Sequence, residues 1–198
     1  MIGYLSQLAV LTLREPQAAA QRILGLGLSA NVRWLCLLLV AVATAGVTSV
    51  SVMAAPSEMP MPGLFFNPMG LAAFMVVSMS GVAFLTAWFA PMMGGASGRF
   101  MDVLILLTWV QTLRAVAQVA MLVLPVLPLG ALVALLLALA TTVLGIWISV
   151  VFVRHALGLS SLIKAFVLLT LAAIAVVLIM SVVWSIVAGP TMVLQTNV

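Results

Sequence analysis

The sequence predicts an all-α, polytopic membrane protein with five transmembrane helices, its amino terminus cytoplasmic and its carboxyl terminus external. Three observations carry that expectation. Hydrophobic residues make up 66% of the 198 positions and charged residues 5%, with a mean hydropathy of +1.42, far too little polar surface to clothe a soluble domain of this length. Apolar runs of the roughly 20 residues that a crossing needs recur along the chain. Every charged residue except Arg114 lies at or beside a break between those runs. A soluble helical protein would carry charged outer faces, and none of the runs has one.

Residues 1–33 come first and are apolar but interrupted by Arg14, Glu15, Gln17, Gln21 and Arg22, with Pro16 where a proline favours a helix start. They read as an amphipathic segment of one or two helices on the cytoplasmic membrane face. The segment serves either as a lipid-sensing surface helix or as an anchor that settles the first span. The membrane domain follows over 34–188, with spans at 34–54, 70–92, 102–126, 129–153 and 161–188, and 189–198 remains as a short external tail. The third and fourth spans form one nearly continuous apolar stretch, which the run from Pro125 to Pro128 breaks into a tight helical hairpin. Cys36, in the first span, is the single cysteine and reads as a small packing residue. The first long apolar run begins only after Arg33 and is too long for a signal core, so no cleaved leader is expected.

Orientation follows from basic residues, which short loops retain in the cytoplasm during insertion. Arg14, Arg22 and Arg33 precede the first span, Arg99 lies between the second and third, and Arg154 and Lys164 flank the turn between the fourth and fifth. All fall on one side, while the opposite loops hold only Glu58. Topology and contact with anionic lipid heads account for the net charge of +4, so no nucleic-acid partner is expected.

The loop Gly94-Gly95-Ala96-Ser97-Gly98-Arg99 precedes the third span. Backbone N–H groups at Gly94 and Gly95, with the Arg99 guanidinium, offer contacts to a lipid phosphate near a helix amino terminus. A flexible turn is the competing reading, because no Gly-Lys-Ser/Thr follows and Asp102 would repel phosphate. This loop, continuing through Phe100 into Val103-Leu104, resembles the glycine-rich loop before the third helix of the Yip-domain family, the Ypt/Rab-interacting membrane proteins, in its bacterial branch. Ala156-Leu157-Gly158-Leu159-Ser160-Ser161, with Lys164-Ala165, is similar to that family's turn into its last helix, and Glu15-Pro16 adds to the pattern near the start. The resemblance implies five membrane helices and a role in organising membrane or binding other membrane proteins, by analogy of fold. It also implies a bacterial cytoplasmic (inner) membrane. Rab binding is not implied, because the longer cytosolic amino-terminal region and acidic-aromatic Gly-Pro motif of eukaryotic members are missing. The proline common midway along the family's third helix is missing too.

Within the third span, Thr108, Gln111, Arg114 and Gln118 follow at steps of three or four and form a polar stripe on one helix face. Arg114 lies about 18 Å along from Asp102, near the middle of a hydrocarbon slab about 30 Å thick. At a cost of about 2.5–3.5 kcal/mol against lipid, it is expected to face the bundle or a wet cavity. No carboxylate lies within a span, so neutral groups must solvate it: Thr44 and Thr48, Ser78 and Ser80, Thr141, Thr142 and Ser149, or Ser181 and Ser185. Either this is a self-satisfied core that fixes helix register, or Arg114 binds an anionic lipid, a substrate, or a partner protein's carboxylate.

Small residues at Ala131, Ala134, Ala138, Thr141, Gly145 and Ser149, and at Ala41, Ala45 and Ser49, mark seams of close helix approach and assign no oligomeric state. Asp102, His155 and Ser160 share one side, but no nucleophile-elbow pattern surrounds them, and no catalysis or cofactor is expected. The leading function is thus a non-catalytic membrane protein resembling the Yip-domain family. The alternative is a small transporter or lipid-handling protein with an anion or lipid site at the Arg114 stripe. A third reading rests on the thirteen methionines: Met59 and Met61, with Met53, Met69, Met92 and Met93, carry the soft thioethers that copper(I) prefers, though methionine also fills apolar helices.

Overall fold

The computed structural model describes residues 2–54, 67–123 and 130–195. Glu58, Met59, Met61 and the turn between Pro125 and Pro128 lie outside them. Seven helices are described: α1 (Ile2–Arg14), α2 (Pro16–Leu24), α3 (Ala30–Ala54), α4 (Pro68–Phe89), α5 (Phe100–Val123), α6 (Gly130–Leu157) and α7 (Leu162–Gln195). Among the described residues five are long and apolar enough to cross a membrane, over Ala30–Val52, Pro68–Met93, Phe100–Leu122, Leu132–Leu157 and Leu162–Val183. Their outward faces suit lipid: Leu39 is 72% exposed and Ile163 74%, a state that water would disfavour over so much apolar area. The protein is therefore a multi-pass membrane protein.

Local chemistry sets several helix ends. Asn67 caps α4, its Oδ1 accepting from the N–H groups of Met69 at 3.1 Å and Gly70 at 3.2 Å, and Pro68 takes the first helical position, where its missing N–H costs nothing. After α4 a 3-10 turn, Ala90–Met93, ends at Gly94 with φ 81°, and α6 ends at Gly158 with φ 63°; both are left-handed conformations that glycine adopts without strain. The helices outrun the spans read from apolar length, since α3 starts at Ala30, α6 continues to Leu157, and α7 runs through Pro190 to Gln195. Bilayer thickness limits where hydrocarbon ends, whereas backbone hydrogen bonding continues until a residue interrupts it.

At one end of the bundle the basic residues meet. Arg33 pairs with Asp102 at 2.7 Å, so the first turn of α5 carries a carboxylate where the helix dipole favours it. Arg99 Nη1 donates to the Ala156 carbonyl at 3.1 Å, Lys164 Nζ to that of Met93 at 3.3 Å, and the Ala96 N–H to that of Leu157 at 2.7 Å. The two segments that carry the family resemblance thus touch each other, and a Cβ added at Gly95 would come within 2.9 Å of the Leu159 side chain.

The packed core lies toward this basic end. Phe152, Leu104, Leu106 and Leu157 are fully buried there, together with Ala19, Ala20 and Ile23 of α2. The amphipathic segment expected on the cytoplasmic membrane face also packs on the bundle, with α2 against α6 and α5 as well as α1. Its alanines permit the close approach. The buried Thr12 of α1 accepts a hydrogen bond from Trp109 Nε1 of α5 at 2.9 Å, and Arg22 of α2 stacks its guanidinium 5.4 Å from the Tyr4 ring centre.

Candidate functional site

Four helices close into a ring in which α4 packs on α5, α5 on α6, α6 on α7 and α7 on α4, while α3 lies outside against α4 and α5. One closure point is the α4–α7 crossing, where Gly81 meets the Val176 side chain 3.1 Å from where a Cβ would stand. Between the ring helices lies a cavity of about 520 Å³. Its polar lining comes from every member: Ser78 of α4, Gln111 and Arg114 of α5, Ser149 of α6 and Thr170 of α7; the rest is apolar, including Phe166, Leu169 and Ile174. Beyond Val176, α7 exposes Val177, Leu178, Ile179, Val182 and Val183, so the ring loosens on the side away from the basic end.

Arg114 also borders a second, smaller cavity of about 270 Å³ between α5 and α6, lined by Thr141, Gly145 and Leu13 of α1 among others. Its guanidinium reaches both spaces because α6 has no side chain in the way. A Cβ at Gly145 would sit 2.7 Å from both Nε and Nη2 of Arg114, well inside van der Waals contact. The arginine therefore lies in a notch in the α6 backbone.

The hydrogen bonding of the lining decides what the cavity can bind. Ser78 donates to the Phe74 carbonyl at 2.5 Å, Ser149 to Gly145 at 2.6 Å and Thr141 to Leu137 at 2.8 Å, each spending its proton on its own helix. Among the described residues, no side-chain hydrogen bond within the protein involves Arg114, Gln111 or Thr170. Donors are in excess: a guanidinium, a carboxamide and a hydroxyl face one space. Of the acidic residues described, Asp102 is held by Arg33 and Glu15 is exposed.

The polar stripe divides. Gln111 and Arg114 line the cavity, whereas Thr108 is buried and donates to Leu104 at 2.8 Å. Gln118 is not among the lining residues, and its Oε1 is buried without a partner. Of the hydroxyls expected to solvate Arg114, Ser78 and Ser149 share its larger cavity and Thr141 its smaller one; Thr44 and Ser80 keep buried, unpartnered oxygens, and Thr142, Ser181 and Ser185 are exposed. Sequence reasoning missed Thr170, one of many threonines with no stripe around it. It also placed Gly145 only on a small-residue seam. In the loop at Gly94, Gly95 and Arg99, the two glycine N–H groups donate to Pro91 at 3.1 Å and Ala90 at 2.9 Å, so these backbone donors serve the fold, while the exposed Arg99 donates to Ala156 through Nη1 alone.

Fold and cavity together define a polytopic all-helical membrane protein with an arginine set into the middle of a spanning helix. The Yip1 domain model matches residues 10–184, and the chain belongs to that family. No curated protein and no solved structure matches it.

Proposed function

We propose that the protein acts without catalysis, organising its membrane or holding other membrane proteins by binding an anionic group at Arg114, with Gln111 as a second donor. The observation that carries this reading is a guanidinium that borders a 520 Å³ cavity and has no acceptor among the described residues. A self-satisfied register core would pair those donors internally, because an unpaired charge away from water is costly. The setting proposed is a bacterial cytoplasmic (inner) membrane, with the basic end of the bundle on the cytoplasmic side and, next to it, anionic lipid heads. The exposed Arg99 guanidinium, engaged at Ala156 through Nη1 alone, is a second candidate contact for a lipid phosphate, whereas the N–H groups of Gly94 and Gly95 are engaged within the loop.

The test is capture in mild detergent of the native protein, Arg114→Gln and Arg114→Lys at equal expression, followed by identification of lipids and proteins that copurify. Arg114→Gln is expected to lose one species selectively. Arg114→Lys keeps the charge without the fork and is expected to retain part of it. Identical recoveries from all three would refute an anion-binding role. The position of the cavity between four spanning helices favours a second reading, a small transporter or lipid-handling protein. Flux of a labelled anionic lipid across proteoliposomes that depends on Arg114 would replace the first reading with this one.

A further inference from the structure

We infer that the ring cavity is a binding site for a long-chain monocarboxylate, its carboxylate gripped by Arg114 with Gln111 and Thr170, and its hydrocarbon chain against the apolar lining. The inference rests on the anion-binding reading above and names the occupant. Three features of the site select it.

The free donors are the first. A guanidinium presents two parallel N–H groups to a carboxylate, and the Gln111 amide and Thr170 hydroxyl lie on the same cavity from α5 and from α7. Size is the second. About 520 Å³ falls in the range of pockets that enclose one small ligand, and a lipid with two acyl chains is larger than that. Position is the third. Arg114 stands about 21 Å along α5 from Phe100, so whatever binds it must cross hydrocarbon to arrive. A phosphate keeps a negative charge at neutral pH, whereas desolvation raises a carboxyl group's pKa and lets it enter as the neutral acid. Beside a guanidinium the ionised form regains its advantage, and the proton is released to water. The chain has a path as well, because α7 is largely exposed just past the Gly81–Val176 crossing, next to Ile174 in the cavity wall.

Binding of labelled palmitate to the full chain in phosphatidylcholine nanodiscs tests this. The native protein is expected to bind saturably, and palmityl alcohol, the same chain without the charge, is expected not to displace the label. Arg114→Gln is expected to weaken binding about tenfold or more, and Thr170→Val about threefold, in keeping with loss of a charge-assisted and of a neutral-donor hydrogen bond. Arg114→Lys is expected to fall between native and Arg114→Gln. Equal binding by native, Arg114→Gln and Thr170→Val proteins would overturn the inference, as would palmityl phosphate displacing the label better than palmitate does. Should Arg114→Gln fail to elute as a single folded species, Thr170→Val and Gln111→Leu decide the matter between them. Loss of a copurifying species from Arg114→Gln, with no saturable palmitate binding by the native protein, would leave the anion-binding reading standing and remove this occupant.

Discussion

Arg114 and Gly145 are one feature made by two residues. The guanidinium lies across α6 where position 145 has no side chain, so the pair is expected to be coupled. Gly145→Ala, which puts a Cβ 2.7 Å from two nitrogens at the far end of a flexible side chain, is expected to swing the guanidinium aside and lower stability in detergent by about 0.5–1 kcal/mol. In an Arg114→Ala background the same change is expected to cost almost nothing. A thermal-melt double-mutant cycle with coupling under about 0.5 kcal/mol would mean that the two do not touch. Half of this was legible in the sequence. An arginine in the middle of an apolar run announces itself, because the penalty for burying it is written in its neighbours. Its contact with a glycine on the next helix, and the cavity it shares with Thr170, depend on how helices rotate against one another, which periodicity along one helix does not encode.

At the level of elements, what α1 and α2 pack against was the least legible part. Composition gave them helical structure and an apolar face but not the surface they cover, since small alanines such as Ala19 and Ala20 fit lipid, water or protein equally well. Removing residues 2–24 is expected to leave membrane insertion intact, because each span is apolar enough on its own, while lowering the thermal midpoint by uncovering α5 and α6. Membrane fractionation and a melt on the same sample would check both halves; an unchanged midpoint would return the segment to the role of a surface rider. The Thr12–Trp109 bond allows a finer experiment. Thr12→Val leaves the indole N–H without its acceptor and is expected to cost about 1–3 kcal/mol, whereas in a Trp109→Phe background the same substitution is expected to be nearly neutral.

For the molecule as a whole, the number of spans was legible because hydrocarbon thickness and helical rise leave little choice. The order in which the spans pack was not. Nothing in the sequence places α4 beside α7 or sets α3 outside the ring, because any two apolar helices with small residues can form a seam. Sidedness is a property of the whole chain in its membrane, and reporters fused after Arg33, Arg99 and Arg154 are expected to read cytoplasmic, and those after Met61 and Val198 external. A cytoplasmic reading at Val198 would reject the arrangement.

The joint at the basic end also imposes an order on biogenesis. Ala96 and Arg99 take their acceptors from Leu157 and Ala156, and Met93 waits for Lys164, so the loop before α5 leaves the ribosome several seconds ahead of the groups that complete it, at about 5–20 residues per second. During that interval its donors have only water or lipid heads to satisfy them. A nascent chain stopped between α5 and α6 is therefore expected to be cut by protease at Gly94–Arg99, and a chain long enough to free Lys164 from the exit tunnel to resist. The last helix acts as a latch, and the fourth and fifth spans together finish what the second and third begin.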